Sequence, residues 1–176
     1  MKRLFIPLFL LILLVLESTA INVLPTEWIY SKNFIIPHWT LVFAILVAIF
    51  YDRDHTYFCV LYAIIFGFLI DLTYTNILGV YMFSYGLVVY LIHELKQLFH
   101  PNIIVTFLLT ILGIFLAEHF IYGLYFMIGV TNLSWTSYLS TRFIPTLLGN
   151  VLFLIILYPI IKGKLLKWSE EQLPEK

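Results

Sequence analysis

The stretch Gly67-Phe68-Leu69-Ile70-Asp71-Leu72-Thr73-Tyr74-Thr75-Asn76-Ile77-Leu78-Gly79-Val80-Tyr81 decides how this chain is read. An apolar run ends on a carboxylate, a short polar break follows, and a second apolar run opens after a glycine. An ionised acid at hydrocarbon depth costs on the order of 3 kcal/mol even on insertion scales, so Asp71 needs a partner. Ala63, Gly67 and Asp71 step by four and share one helix face, the arrangement of a helix that receives a neighbour closely.

Composition sets the solvent. The chain has 176 residues, 62% of them hydrophobic and 11% charged, and a mean hydropathy of +0.99. Soluble domains carry about 25% charged residues, so the surroundings here are a bilayer and one domain accounts for the length. Ten basic residues balance ten acidic ones, which leaves no net field to gather nucleic acid or an acidic substrate; no nucleic-acid partner is expected. Cys59 is the single cysteine, which excludes an internal disulfide and is read as excluding a cysteine-based metal site.

A hydrocarbon core of ~30 Å needs about twenty apolar helical residues to cross it. Working outward from Asp71, that length predicts an all-α, polytopic membrane bundle of about six spans: Leu4–Leu24, Phe34–Phe50, Thr56–Thr73, Ile77–His93, Ile103–Ile128 and Phe143–Ile161. The connections are Pro25–Asn33, Tyr51–His55, Tyr74–Asn76, Glu94–Asn102 and Gly129–Arg142, each with turn, charge or aromatic character. Residues 1–161 are read as the transmembrane domain and 162–176 as a cytoplasmic tail. Lys2-Arg3 and the small residues Ser18-Thr19-Ala20 around an apolar run also fit a cleavable signal, but Glu17 and the further apolar Ile21, Val23 and Leu24 extend the segment into a helix.

A cytoplasmic amino terminus puts Lys2, Arg3, Arg53, Lys96, Lys162, Lys164, Lys167 and Lys176 inside and only Lys32 and Arg142 outside, as the positive-inside rule requires. Both termini are therefore expected in the cytoplasm, with Lys162, Lys164 and Lys167 near anionic headgroups. Aromatic residues near the span ends, among them Trp28, Trp39, Tyr74, Tyr81, Trp135 and Trp168, read as interfacial belts.

Along the odd-numbered spans, Glu17, Asp71 and Glu118 fall at one depth, ~20 Å from the cytoplasmic edge at ~1.5 Å per residue. Arg142 enters the last span from the other side. Three acids around one guanidinium cannot all be ionised in low dielectric, so at least one is expected protonated, with Arg142 bridging Glu118 or Asp71 through its planar fork. Arg142, Thr146 and Asn150 step by four on one face with Gly149 adjacent, while Thr106, Thr110, Gly113 and Ala117 repeat small and polar residues in the fifth span. Pro145 biases the residue before it out of the helix. The expected polar network is Glu17, Asp71, Glu118, Arg142 and Asn150; Gly67, Gly79, Gly113, Pro145, Thr146 and Gly149 are the expected packing positions. His119 reads as a core or interface residue, and His38, His55, His93 and His100 as boundary residues.

Catalytic signatures are missing. His93-Glu94 lacks a second histidine four residues after the first, Ser84 lacks the glycine of a nucleophile elbow, and no Gly-rich loop precedes a lysine. Neither an enzyme activity nor a cofactor nor a metal is expected.

Glu17-Ser18-Thr19, Gly67-Phe68-Leu69-Ile70-Asp71 with Leu78-Gly79, Glu118 with Tyr122-Gly123, and Arg142-Phe143-x-Pro145-Thr146 with Asn150 together resemble the rod shape-determining protein MreD family, over nearly the whole chain. The resemblance implies a non-enzymatic membrane scaffold of the elongation machinery that inserts peptidoglycan along the side wall of a rod-shaped bacterium. Its implied partners are MreC, with its single span, as the direct contact, then MreB, RodA and a class-B penicillin-binding protein, all at the plasma membrane. That family is similar in fold to the substrate-binding S components of vitamin transporters, so a vitamin-binding module is the alternative.

Overall fold

The computed structural model describes residues 4–23, 35–75, 77–100 and 102–171. The expected connection Pro25–Asn33, the flanking Lys2 and Arg3, and Lys176 lie outside them. Within them the protein is all-helical, with six helices and no strand: α1 (Phe5–Val23), α2 (Trp39–Phe50), α3 (Phe58–Tyr74), α4 (Val80–Lys96), α5 (Ile103–Met127) and α6 (Trp135–Glu170). Helices α5 and α6 are each long and apolar enough to cross a membrane.

Helix α2 is the axis of the bundle. Every one of its residues from Thr40 to Phe50 is buried, and it packs against α1, α3, α4, α5 and α6. Around it the remaining helices follow one another through the contacts α1 with α3, α3 with α4, α4 with α5, and α5 with α6. A helix apolar on all sides belongs inside such a ring. The sequence reading expected a full span over Phe34–Phe50; the helix has 12 residues and begins only at Trp39. Residues 35–38 are not helical. Pro37 explains this, since it pushes Ile36 toward extended backbone and removes a donor.

Helices α3 and α4 approach most closely where the sequence reading placed small residues. A Cβ added at Gly67 would lie 2.7 Å from the Tyr81 carbonyl oxygen and 2.8 Å from the Met82 Cα, so backbone meets backbone there. Gly79 takes a left-handed φ of 102° and sets the sharp entry to α4. At Gly113 a Cβ would meet the Ile45 side chain of α2, and at Gly149 it would meet Ile35.

The last span differs from its expected boundaries. Helix α6 starts at Trp135, where Ser134 accepts a hydrogen bond from the Ser137 N–H, so Arg142 is inside the helix instead of in a loop before it. A π-helical turn over Leu139–Phe143 precedes Pro145, and the Ile144 N–H donates to the Leu139 carbonyl. Widening the helix by a residue just before a proline accommodates the missing N–H without ending the helix. At the far end α6 continues without interruption through Lys162 to Glu170. Phe5 stacks on Trp168 with ring centroids 5.8 Å apart, so α1 begins beside the end of α6.

Because the Gly67 contact is to backbone, Gly67→Ala is expected to destabilise the bundle by about 1–3 kcal/mol. Gly123→Ala, where nothing lies within 4 Å of the added carbon, serves as the comparison and should hold stability or raise it by up to about 1 kcal/mol, since alanine is the better helix former. Thermal unfolding of the purified proteins in one detergent distinguishes the two.

Candidate functional site

Glu17, Asp71 and Glu118 are all buried, and each has its own kind of partner. Asp71 does not reach Arg142 by any bond in the structure; it caps α4. Its Oδ2 accepts from the Gly79 N–H at 2.8 Å and the Met82 N–H at 3.0 Å, its Oδ1 from the Tyr81 N–H at 3.0 Å. These include donors that an α-helix leaves unpaired in its first turn, and the positive end of the helix dipole favours the carboxylate there. Glu17 performs the same service for α2: from the adjoining α1, its Oε1 accepts the Thr40 N–H at 2.5 Å. His38, at the capping position of α2, makes no side-chain cap of its own.

Glu118 carries the ion pair. Arg142 Nε donates to its Oε2 at 3.0 Å and Nη2 to its Oε1 at 3.4 Å, with the arginine side chain 15% exposed and the glutamate fully buried. On the other side the His38 Nε2 lies 2.6 Å from Oε1, and His38 Nδ1 lies 2.7 Å from the Tyr85 hydroxyl. A neutral imidazole satisfies the whole chain: the Tyr85 hydroxyl donates to Nδ1, the Nε2–H donates to the carboxylate, and one negative charge faces one positive charge. Of the two acids expected to pair with Arg142, Glu118 does so and Asp71 does not, and Asp71 and Glu17 take backbone donors in place of a cation.

Asn150 completes the network from α6. Its amide oxygen accepts from the His38 N–H at 2.7 Å, and its amide nitrogen donates to the Ile36 carbonyl at 2.9 Å and the Thr146 carbonyl at 2.8 Å. The Thr146 hydroxyl accepts from the Ile36 N–H at 3.0 Å. The non-helical entry to α2 is therefore paired by side chains of α6, one helical turn apart. Non-helical backbone at membrane depth is tolerated where protein supplies those bonds.

His38 and Tyr85 are the members that sequence reading missed. The usable signal was Pro37-His38 directly before Trp39, which breaks the helix and leaves an imidazole facing inward. His119 sits apart, its Nδ1 2.7 Å from the Phe115 carbonyl and its ring among Phe115, Trp135, Tyr138 and Phe143. The aromatic cluster is thereby filled by the protein's own histidine.

A second polar cluster lies at the opposite end of the bundle. Asp52, Cys59 and His93 are buried with ligand-type atoms within 4.8 Å of one another, the grouping that could hold a metal among the described residues. One cysteine is enough when aspartate and histidine supply the rest, so the cysteine-count argument excludes only sites built from several cysteines. The carboxylate is already engaged, however: Asp52 accepts the Cys59 N–H at 2.6 Å and the Thr56 hydroxyl at 3.3 Å, which caps α3. Lys96 brings a cation to the same place, donating to the Ala48 and Asp52 carbonyls. Burial pushes the Asp52 carboxyl above its ordinary range, opposed by the bonds from Cys59 and the nearby Lys96 ammonium.

The family model for "rod shape-determining protein MreD" matches residues 2–168. The chain belongs to the MreD family. A Bacillus subtilis (strain 168) rod shape-determining protein MreD is 29% identical over 157 residues, covering 89% of this chain and 90% of that protein. No solved structure matches. As an MreD protein, this chain is an all-helical membrane protein with a role in cell shape.

In this MreD, Arg142→Met should destabilise by about 3–5 kcal/mol, because it leaves the Glu118 charge buried with only His38 as partner. The double variant Glu118→Gln with Arg142→Met removes that charge and should melt above the single variant. Asp71→Asn keeps the size but turns an amide N–H toward the backbone donors of α4; a loss of about 1–3 kcal/mol is expected from the same melting measurement.

Proposed function

We propose that this MreD is a non-enzymatic, multi-pass scaffold of the cell-elongation machinery at the plasma membrane, docking other wall-synthesis proteins through its helices in support of lateral peptidoglycan synthesis. The observation that carries the reading is the self-sufficiency of the polar network. Asp71 is spent on the start of α4, Glu118 on Arg142 and His38, and Asn150 on the backbone before α2. Groups committed in this way hold helices together and are poorly placed to turn over a substrate. Glu17, Asp71, Glu118, Arg142 and Asn150 are accordingly positioning residues for the bundle, and Gly67, Gly79, Gly113, Pro145, Thr146 and Gly149 set how closely and at what angle its helices meet.

A vitamin-binding S component requires a ligand chamber, and the cavity beside the network supplies little of one. It is lined by Glu17, Ile36, Pro37, Ile70, Tyr74, Thr75, Tyr81 and Tyr85 and has a volume of about 150 Å³. Sites for drug-sized ligands run to about 300–1,000 Å³. The balance therefore favours the scaffold.

Outward faces remain for partners. Leu148, Leu152, Ile155 and Ile156 of α6 and Ile104, Leu108 and Phe115 of α5 are exposed. Such surfaces suit lipid or a single partner helix, and MreC is the partner that the family resemblance favours for direct contact, with MreB, RodA and a class-B penicillin-binding protein in the same assembly. Orientation follows from charge. Arg53 donates to the Ser169 carbonyl, and Lys96 binds the carbonyls before α3, so these cations gather at the end where Phe5 meets Trp168. The positive-inside rule makes that end cytoplasmic, with both termini there.

Capture of the tagged full-length protein from detergent-solubilised membranes should bring down MreC, and the Arg142→Met variant, if it accumulates, should bring down less and give rounded cells. Recovery of transporter ATPases in place of wall-synthesis proteins, or a radiolabelled vitamin retained through purification, would overturn the assignment.

A further inference from the structure

The ring of helices around α2 has a seam. Helix α1 packs on α2 and α3, and α6 on α2 and α5, but between α1 and α6 lies a groove of about 540 Å³. This volume is within the range of small-molecule sites, ~300–1,000 Å³. Its floor is apolar: Phe9, which also packs on Phe43 of α2 with ring centroids 4.6 Å apart, together with Ile12 and Ile160. Its end is cationic, lined by Lys164 and Lys167 with the Trp168 indole. Along α6 the lining thus passes from hydrocarbon to charge within about one turn, the order in which a lipid presents its chain and its headgroup.

The two lysines are suited to that role because neither enters an ion pair among the described residues, and both are exposed. Three apart on a helix, they share one side. Lys162 behaves differently. Its ammonium lies 3.0 Å from the Tyr158 hydroxyl and over the Phe50 and Tyr158 rings, turned away from the groove.

We propose that the seam between α1 and α6 binds one anionic diacyl phospholipid from the adjoining leaflet. Lys164 and Lys167 hold its phosphate, and one acyl chain lies along Phe9, Ile12 and Ile160. Charge complementarity chooses this occupant over a neutral partner helix, which would leave two cations facing its apolar surface. The lipid would fill the groove beside the Phe5–Trp168 stack and add to the contact that already joins α1 to α6 at this end.

Native mass spectrometry of the full-length protein tests this, with equal amounts of phosphatidylglycerol and phosphatidylcholine of identical chains added after delipidation. One phosphatidylglycerol should be retained in preference to phosphatidylcholine. Lys164→Gln with Lys167→Gln should weaken that binding roughly thirty-fold. Lys162→Gln should leave it unchanged, and Ile12→Trp, which fills the groove away from the charges, should weaken both lipids. Equal retention of the two lipids, or a loss in Lys162→Gln as large as in the double variant, would overturn the proposal. So would a photoreactive residue at position 12 that couples in native membranes to a protein and not to phospholipid.

Discussion

A backbone N–H in hydrocarbon has no water to turn to, and the architecture of this protein follows from where such donors are placed. Helices α2 and α4 both begin inside the bundle, so their first-turn donors face protein. Asp71 and Glu17 answer them from neighbouring elements, joining α3 to α4 and α1 to α2 through hydrogen bonds accepted by their carboxyl oxygens. A carboxylate used in this way needs no counter-cation nearby, because the helix end supplies both the donors and the favourable dipole. Burial of the acid is then a consequence of the helix starts, and the close approach at Gly67 is what brings Asp71 within reach of them.

The same constraint explains the division of labour in α6. Its π-helical turn shifts the register ahead of Pro145, so that Arg142 can reach Glu118 while Thr146 and Asn150 one and two turns later meet the backbone of Ile36 and His38. One helix face therefore neutralises a charge and satisfies an interrupted backbone at once. His38 links the two tasks: its backbone N–H is held by Asn150 while its ring bridges Glu118 and Tyr85. Removing any one group exposes the others to an environment that cannot replace it, which is why such a network fixes a single arrangement of helices.

Much of this was legible in the chain, for identifiable reasons. Apolar length gave the helices, and a four-residue step gave the faces of Ala63, Gly67 and Asp71 and of Arg142, Thr146 and Asn150. Acid depth along the spans pointed to a common polar level. What periodicity could not supply was the identity of each acid's partner, since backbone donors at a helix start look like any other residues in a sequence. The rule that a buried acid seeks a cation leaves Glu118 and Asp71 as equal candidates for Arg142, and only the backbone donors at the start of α4 separate them. Similarly, Ile35 and Ile36 read as part of a span because they are apolar; Pro37 is the sign that hydrogen bonding, not hydropathy, sets where α2 begins. His38 looked peripheral by its position near a span end and proved central because that span starts late.

A short central helix has a further structural consequence. Twelve residues at ~1.5 Å each extend only ~18 Å, well under the ~30 Å of the hydrocarbon core, so α2 cannot organise the bundle over its whole height. Above its start, Ile36 and His38 are tied to α6 by side chains; below its end, the Tyr51 carbonyl accepts from Ser169 and the Asp52 carbonyl from Lys96. Both ends of α2 are therefore anchored to α6 or α4, while α1 holds it through Glu17 and the apolar contact of Phe9 with Phe43. Helix α1 flanks the groove along α6. What holds α1 to the ring is chiefly apolar, with Ile6, Leu10, Leu13 and Leu14 buried in the common core, and the Glu17 cap and the Tyr74 hydroxyl bond to the Leu14 carbonyl fix its rotation.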